Sequence, residues 1–159
     1  TQSRSSAASD VYKRQVQGAN TIVPKILHRL EKARESGEMV LFTRDIPIEH
    51  KNESEELDGL QIIKKLTPLP EEYVIKKNYY ALPPEALIEV RELTEKHEQE
   101  KNHIEVVGVE LSLCVLANAL ALQGALPEAD FYINSELVAG NQLNEATLSL
   151  LKKFNIEIK

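Results

Sequence analysis

The chain has 159 residues, and 25 Asp and Glu against 19 Lys and Arg give it a net charge of −6. This length suits one domain, and a single cysteine excludes an internal disulfide framework and a cysteine-rich zinc site. No apolar run reaches the roughly 20 residues of a membrane span, and the acidic balance argues against nucleic acid as a partner. We therefore expect a compact, cytoplasmic domain that binds neither a membrane nor nucleic acid.

The first fifteen residues, TQSRSSAASDVYKRQ, differ from the rest of the chain. They are rich in Ser and Ala, show no apolar periodicity, and lack the apolar core of a secretory signal. Their last six residues, DVYKRQ, resemble the translation of a transposase end sequence used in sequencing-library adapters. We predict that residues 1–15 are foreign or disordered, and that residues 16–159 are one domain that is incomplete at its N-terminus.

The first predicted element is an amphipathic helix that starts near Ala19 and ends at Ser36–Gly37. Four apolar residues recur at the spacing of one helical face, and they are Val23, Ile26, Leu27 and Leu30. The next element is the apolar run MVLF at positions 39–42, which is typical of a strand buried on both faces of a parallel sheet.

A polar loop is predicted over residues 46–72, with a short helical stretch near residues 60–65. Residues 73–75 form a short strand of β-branched and aromatic type, and the pair Pro83–Pro84 starts a helix.

The strongest predicted strand is IEVVGV, at positions 104–109, and an apolar helix follows over residues 113–122. A strand at 130–133, a helix at 143–154 and a last strand at 156–158 complete the pattern. Strands that alternate with helices form parallel βαβ units. The sequence therefore predicts a three-layer α/β/α fold with a mostly parallel, Rossmann-like sheet.

Ligand sites of open α/β sheets lie beyond the carboxyl ends of the strands. In this chain, that rule selects residues 43–45, residues 76–77 and the turn at 108–114. Cys114 lies at the start of the helix that follows the strongest strand, where the helix N-terminus and a nearby lysine would stabilise a thiolate. The alternative is a buried and inert thiol that packs as a small apolar side chain.

Three segments, in this order, carry a resemblance to a known family. They are VLFTRD at 40–45, VIKKNYYALPPEAL at 74–87 and IEVVGVELSLCVLANALALQGA at 104–125. Together they resemble the isochorismatase-like cysteine hydrolases, which include the nicotinamidases. The similarity extends from about Gly18 to the end of the chain.

The resemblance implies an Asp–Lys–Cys triad in which Cys114 attacks a carbonyl carbon and forms a thioester that water hydrolyses. It implies Lys76 as the triad lysine, with Lys77 as the alternative. It also implies a cis peptide bond between Val109 and Glu110, which would direct the backbone N–H groups of Glu110 and Cys114 at a developing oxyanion. Tyr79 and Tyr80 are weaker candidates, which could line a substrate pocket or simply cover the sheet.

Two departures from the family pattern concern the active site. The chain has Leu111-Ser112 where the family usually has Thr-Asp. The triad aspartate belongs at the end of a first strand, at the centre of the sheet, and nothing before Val16 resembles that strand. We therefore expect the parent protein to be a hydrolase of a small amide, and this chain to be inactive because the strand and its base are missing.

Two other functions of the parent protein stay open. One is a vinyl-ether hydrolase of the isochorismatase kind, and the other is a catalytically silent subunit for binding or assembly. The resemblance also suggests a homo-oligomer.

A metal site is expected to be absent, and no cofactor is predicted. Nicotinamidases begin such a site with Asp-x-His after the second strand. This chain has Asp45, then Pro47 in place of the histidine, and only His50 follows nearby. Two weak candidate ligands are too few for a closed zinc site.

Overall fold

The structure is a computed structural model that describes residues 18–54, 57–97 and 102–159. The segment at residues 1–15 and the domain start near Val16, both singled out by the sequence, lie outside these ranges. No helix in the described ranges is long and apolar enough to cross a membrane.

Four α-helices are formed by the described residues. They are α1 (Ala19–Glu35), α2 (Pro84–Lys96), α3 (Leu116–Ala125) and α4 (Asn144–Lys153). Pro84 lies in the first turn of α2, where its missing N–H costs no hydrogen bond. A π-helical turn at Leu111–Val115 runs directly into α3, so residues 111–125 form one continuous helical segment.

The described residues form seven short strands. They are β1 (Leu41–Asp45), β2 (Tyr73–Lys77), β3 (His103–Glu105), β4 (Gly108–Val109), β5 (Asp130–Ile133), β6 (Val138–Ala139) and β7 (Glu157–Ile158). They pair as β1–β2, β3–β5–β7 and β4–β6, and every pairing is parallel. The predicted parallel α/β class is confirmed.

Helices cover both faces of the β1–β2 pair. Successive residues of a strand point to opposite faces. Val40 and Phe42 pack in a cluster with residues of α1, whereas Leu41 and Ile75 belong to the main core with α2, α4 and the helical segment 111–125. This alternation produces the three layers, and it directs every second residue of β2 toward the helix that carries the cysteine.

The boundaries of some elements differ from the sequence prediction. β1 extends to Asp45 and β2 extends to Lys77, so each strand continues into the polar residues that follow the predicted apolar run. The predicted strand at 104–109 is divided into β3 and β4, and β4 begins at Gly108, which has a φ of 140°. β6 was not predicted because two residues are too short to show a period.

β1 and β3 each have a strand partner on one side only within the described ranges. The resemblance places its first strand between these two elements. The absence of that strand from the chain stays a prediction.

Candidate active site

Cys114 lies in the π-helical turn before α3 and is 5% exposed. The turn begins directly after β4, and Glu110 between them has a φ of 57° and a ψ of 58°. The carbonyl oxygen of Glu110 accepts hydrogen bonds from the backbone N–H groups of Leu113 and Val115, at 2.9 and 3.3 Å. The backbone therefore reverses over one residue and places the cysteine at the end of the strand.

The expected cis peptide bond at Val109–Glu110 is not found, because no cis bond occurs among the described residues. The reversal is made instead by the left-handed conformation of Glu110, which only a few per cent of non-glycine residues adopt. The expected oxyanion role of the N–H groups of Glu110 and Cys114 stays a prediction.

Lys77, and not Lys76, is the lysine that lies beside the cysteine. Lys77 is 1% exposed and shares a strand face with Ile75, which packs in the core with residues 111–125. Lys76 points to the other face and is exposed. Of the two lysines that the resemblance allows, the structure brings Lys77 and not Lys76 to the cysteine, and the triad role of the lysine stays a prediction.

Three polar groups of the described residues lie near the ammonium group of Lys77. Its Nζ lies 3.6 Å from Oδ1 of Asp45, donates to the carbonyl oxygen of Tyr79 at 3.0 Å, and lies 4.0 Å from Sγ of Cys114. The side chains of Lys77 and Asp45 are 0% and 2% exposed. Asp45 thus offsets the charge of a fully buried lysine, as a buried ammonium group requires.

The thiol of Cys114 is held mainly in its neutral form. Burial raises the pKa of Cys114 to about 12, the charge of Lys77 opposes this rise, and the negative charges of Glu110 and Asp45 add to it. The sulfur also donates a hydrogen bond to Oε2 of Glu110 at 3.5 Å. Burial and the two carboxylates thus oppose the thiolate, and Lys77 favours it.

Asn118 is a site residue that the sequence analysis missed. It lies four residues after Cys114, on the same helical face, and is 6% exposed. Its Nδ2 donates to the carbonyl oxygens of Cys114 and Tyr80, at 2.9 and 3.0 Å, and its Oδ1 accepts from the N–H of Leu82 at 2.8 Å. The sequence signal that could have identified it is the single asparagine within the apolar run LANALAL. A buried side-chain amide needs hydrogen-bond partners, so such a residue indicates polar contacts in the core.

Tyr79 and Tyr80 contribute backbone atoms to this arrangement, through the carbonyl groups that accept from Lys77 and Asn118. Their rings meet edge to face at 5.0 Å, and Tyr79 is 52% exposed. A role for the rings as pocket walls stays a prediction.

The two weak metal candidates do not converge. Asp45 lies against Lys77, whereas Nδ1 of His50 lies 2.7 Å from a carboxylate oxygen of Glu53. In the described ranges, no three His, Cys, Asp or Glu side chains are grouped so that they could hold a metal ion. These donors do not fit a zinc site.

A cavity of about 580 Å³ adjoins the cysteine turn. It is lined by the start of α1 and by residues 138–142 and 144, which include the side-chain amides of Asn141, Gln142 and Asn144. Gly140 places this wall close to the turn, because a Cβ atom there would lie 3.2 Å from the backbone nitrogen of Leu111. The carboxyl end of β6 therefore borders an open space.

The Isochorismatase domain family matches residues 8–125, about three quarters of the chain. The chain belongs to the isochorismatase family. Members of this family are hydrolases, and amidases are among them. The match starts inside the segment at residues 1–15, whose foreign origin stays a prediction.

Solved structures of this family share the fold of the chain. An isochorismatase family protein from Desulfovibrio vulgaris has a TM-score of 0.72 and 20% identity, over 90% of this chain and 82% of that one. The pyrazinamidase of Pyrococcus horikoshii, solved in complex with zinc, has a TM-score of 0.71 and 20% identity, over 91% and 87%. N-carbamoylsarcosine amidase from Thermoplasma acidophilum has a TM-score of 0.64 and 16% identity, over 87% and 81%. No protein of curated function matches this isochorismatase-family chain.

Proposed function

We propose that the protein is a cysteine hydrolase that cleaves a small amide through a thioester intermediate. Cys114 is the nucleophile, and Lys77 is the cation that stabilises its thiolate. The observation that carries this proposal is the buried ammonium group 4.0 Å from Sγ. A fully buried lysine is costly, and a lysine beside a cysteine favours the reactive form of the thiol.

In the proposed reaction, Sγ attacks the carbonyl carbon of the substrate and a tetrahedral intermediate forms. The amine then leaves, and water hydrolyses the thioester of Cys114. The N–H groups of Glu110 and Cys114 stabilise the oxyanion, and Asp45 holds Lys77 in place through the contact at 3.6 Å. Asn118 fixes the loop after β2 against the nucleophile helix.

A small amide is the substrate class that we propose, because an amidase and a pyrazinamidase are among the proteins with this fold. The vinyl-ether hydrolase stays an alternative, but no contact in the structure favours it over an amidase.

The catalytically silent subunit is favoured by one observation. Burial raises the pKa of Cys114 to about 12, so only a very small part of the thiol is ionised near neutral pH. A thiol that no base activates would behave as the inert cysteine of the alternative interpretation.

Acylation of the cysteine tests the proposal and separates the two candidates. The chain is incubated with p-nitrophenyl acetate, the release of p-nitrophenolate is followed, and the modified residue is located by mass spectrometry of the peptides. The amidase proposal predicts an acetyl group on Cys114, and release that Cys114→Ala abolishes. A panel of small primary amides, assayed for ammonia, then identifies the substrate.

Absence of an acetyl group on Cys114, in samples quenched with acid while p-nitrophenolate is being released, would contradict the hydrolase and favour the silent subunit. Release that continues unchanged in Cys114→Ala would have the same meaning. The same assay tests the expectation that this chain turns over little or no amide.

A further inference from the structure

The loop after β2 (residues 78–82) joins the lysine of the site to the nucleophile helix, and one asparagine of that helix holds it. We infer that Asn118 is a positioning residue that controls the reactivity of Cys114 through Lys77. It does so by fixing the backbone group to which the ammonium group of Lys77 donates. This inference rests on the proposed function and deepens it, because it adds the residue that keeps the lysine beside the sulfur.

Asn118 binds the loop at two points. Its Nδ2 donates to the carbonyl oxygen of Tyr80 at 3.0 Å, and its Oδ1 accepts from the N–H of Leu82 at 2.8 Å. Nδ2 also donates to the carbonyl oxygen of Cys114 at 2.9 Å, within the helical segment itself. Asn118 is 6% exposed, and a buried side-chain amide is stable where its hydrogen bonds are satisfied. The side chain therefore holds the loop on both sides of Ala81.

The same loop carries a hydrogen-bond acceptor of the lysine. Nζ of Lys77 donates to the carbonyl oxygen of Tyr79 at 3.0 Å. Because peptide units are planar, only the two backbone dihedral angles of Tyr80 separate this carbonyl group from the one that Asn118 binds. The contact with Asn118 thus limits the direction of the Tyr79 carbonyl group, and with it the position of Nζ.

Two groups attract the ammonium group of Lys77 away from or toward the sulfur. The Tyr79 carbonyl binds Nζ at 3.0 Å while Sγ of Cys114 lies 4.0 Å away. The carboxylate of Asp45 attracts Nζ from 3.6 Å, which is beyond hydrogen-bond distance. If the loop is released, we expect Nζ to move toward Asp45. A closer pair of opposite charges presents less positive charge to the sulfur, so the thiolate becomes less favourable.

The size of the effect follows from the distance between Nζ and Sγ. At an effective dielectric constant of about 20, an increase from 4.0 Å to about 6 Å weakens the attraction enough to lower the thiolate fraction about tenfold. The higher nucleophilicity of a less acidic thiol recovers about half of this factor on a logarithmic scale. We therefore expect alkylation that is about threefold slower when the loop is released.

Asn118→Thr releases the loop and keeps the contact inside the helix. A threonine hydroxyl can donate to the carbonyl group four residues earlier, here that of Cys114, but it does not replace both contacts with Tyr80 and Leu82. A looser loop also changes the access of solvent to the sulfur. That effect does not require the lysine, so it persists when the lysine is removed.

The experiment is a double-mutant cycle on the rate of iodoacetamide labelling of Cys114 at pH 9. Asn118→Thr is made in the wild-type chain and in Asp45→Asn/Lys77→Met, which lacks both charges. We expect labelling to slow about threefold in the wild-type background and to stay unchanged in the other. The difference between the two backgrounds measures the part of the effect that passes through Lys77.

A second reagent and a matched control separate charge from packing. Iodoacetate has nearly the size of iodoacetamide but carries a negative charge, so its reaction should slow by more in Asn118→Thr. Thr147→Val removes the side-chain hydrogen bond that a buried threonine of α4 donates to the carbonyl oxygen of Leu143 at 2.8 Å. This control should change neither rate.

Thermal unfolding of each variant, followed by circular dichroism, establishes that it is folded at the assay temperature. Asn118→Ser has the same hydroxyl on a smaller side chain, and it replaces Asn118→Thr if that variant does not unfold cooperatively.

Three results would overturn the inference and leave the proposed hydrolase standing. Labelling of folded Asn118→Thr at the wild-type rate or faster would show that the asparagine does not keep the lysine beside the sulfur. An equal slowing in both backgrounds would show an effect that bypasses Lys77. An equal slowing by Thr147→Val would show a general loss of stability. The proposed function itself fails on a different measurement, the absence of an acetyl group on Cys114.

Discussion

Replacing Lys77 by methionine tests the central contact of the site, and the neighbouring residue provides a matched control. Lys77 and Lys76 have the same chemistry and adjacent positions, but opposite faces of β2. Lys77→Met removes the ammonium group 4.0 Å from Sγ of Cys114. Lys76→Met removes an equal charge from the exposed face.

The expected size of the effect follows from the separation of the two charges. At an effective dielectric constant of about 20, unit charges 4.0 Å apart interact by about 4 kcal/mol. Losing this attraction lowers the thiolate fraction of Cys114 by a factor of about 10³. A thiolate of higher pKa is also intrinsically more nucleophilic, which recovers about half of that factor on a logarithmic scale. The net expectation is alkylation that is about 30-fold slower.

The assay is the second-order rate of iodoacetamide labelling at pH 9, read by intact mass. Lys77→Met also leaves the Asp45 carboxylate buried without its cation, and breaking such a buried pair costs about 3–5 kcal/mol. The double variant Asp45→Asn/Lys77→Met removes both charges and should recover stability. Thermal unfolding of each variant, followed by circular dichroism, provides the folding control.

Labelling of folded Lys77→Met at the rate of Lys76→Met would refute the electrostatic role of Lys77. A larger loss in Lys76→Met would refute it too, because the face alternation of β2 would then be misplaced.

Further predictions concern the thiol, the asparagine and two glycines. Because burial raises the pKa of Cys114 to about 12, the rate of iodoacetamide labelling should rise about tenfold per pH unit from pH 7 to 10. A labelling rate that reaches its plateau below pH 8 would contradict this. In the unfolded chain the thiol ionises near its ordinary pKa of 9.0, whereas in the folded chain it stays neutral there, so the free energy of unfolding should fall as pH rises from 9 toward 12. Asn118→Ala removes the donor of the part-buried hydrogen bond to the carbonyl of Tyr80. We therefore expect the free energy of unfolding in urea to fall by about 1–3 kcal/mol, and an unchanged midpoint would be inconsistent with the contacts. Gly140→Ala places a Cβ atom 2.5 Å from the side-chain oxygen of Asn144 and should lower the melting temperature. Gly124→Ala places its Cβ atom in α3 with nothing within 4 Å, and should raise the free energy of unfolding by about 0.5–1 kcal/mol. Equal melting temperatures of the two variants would count against both predictions.

The fold could be predicted from the sequence because its elements depend on local apolar patterns. The helix over residues 19–35 and the strand at 130–133 both show a period that is long enough to recognise. β6 escaped prediction because its two residues are defined by pairing with β4, and pairing across thirty residues leaves no local signal.

The site could be predicted only in part. The position of Cys114 follows from the rule for strand ends, but the selection between Lys76 and Lys77 depends on which face of β2 meets the helix. That face is set by tertiary packing of Ile75, which apolar runs of three residues do not determine. The hydrogen bond from Cys114 to Glu110 depends on the left-handed backbone of Glu110, which cannot be predicted from the residue type.

The backbone N–H of Leu82 donates to Oδ1 of Asn118 at 2.8 Å, and Nδ2 of the same asparagine donates to the carbonyl oxygen of Cys114. Leu82 itself is 4% exposed. Its amide proton can therefore exchange with solvent deuterium only when the loop after β2 separates from the nucleophile helix. A single amide resonance, distant from the sulfur in sequence, thus reports how often the site opens in the absence of any substrate.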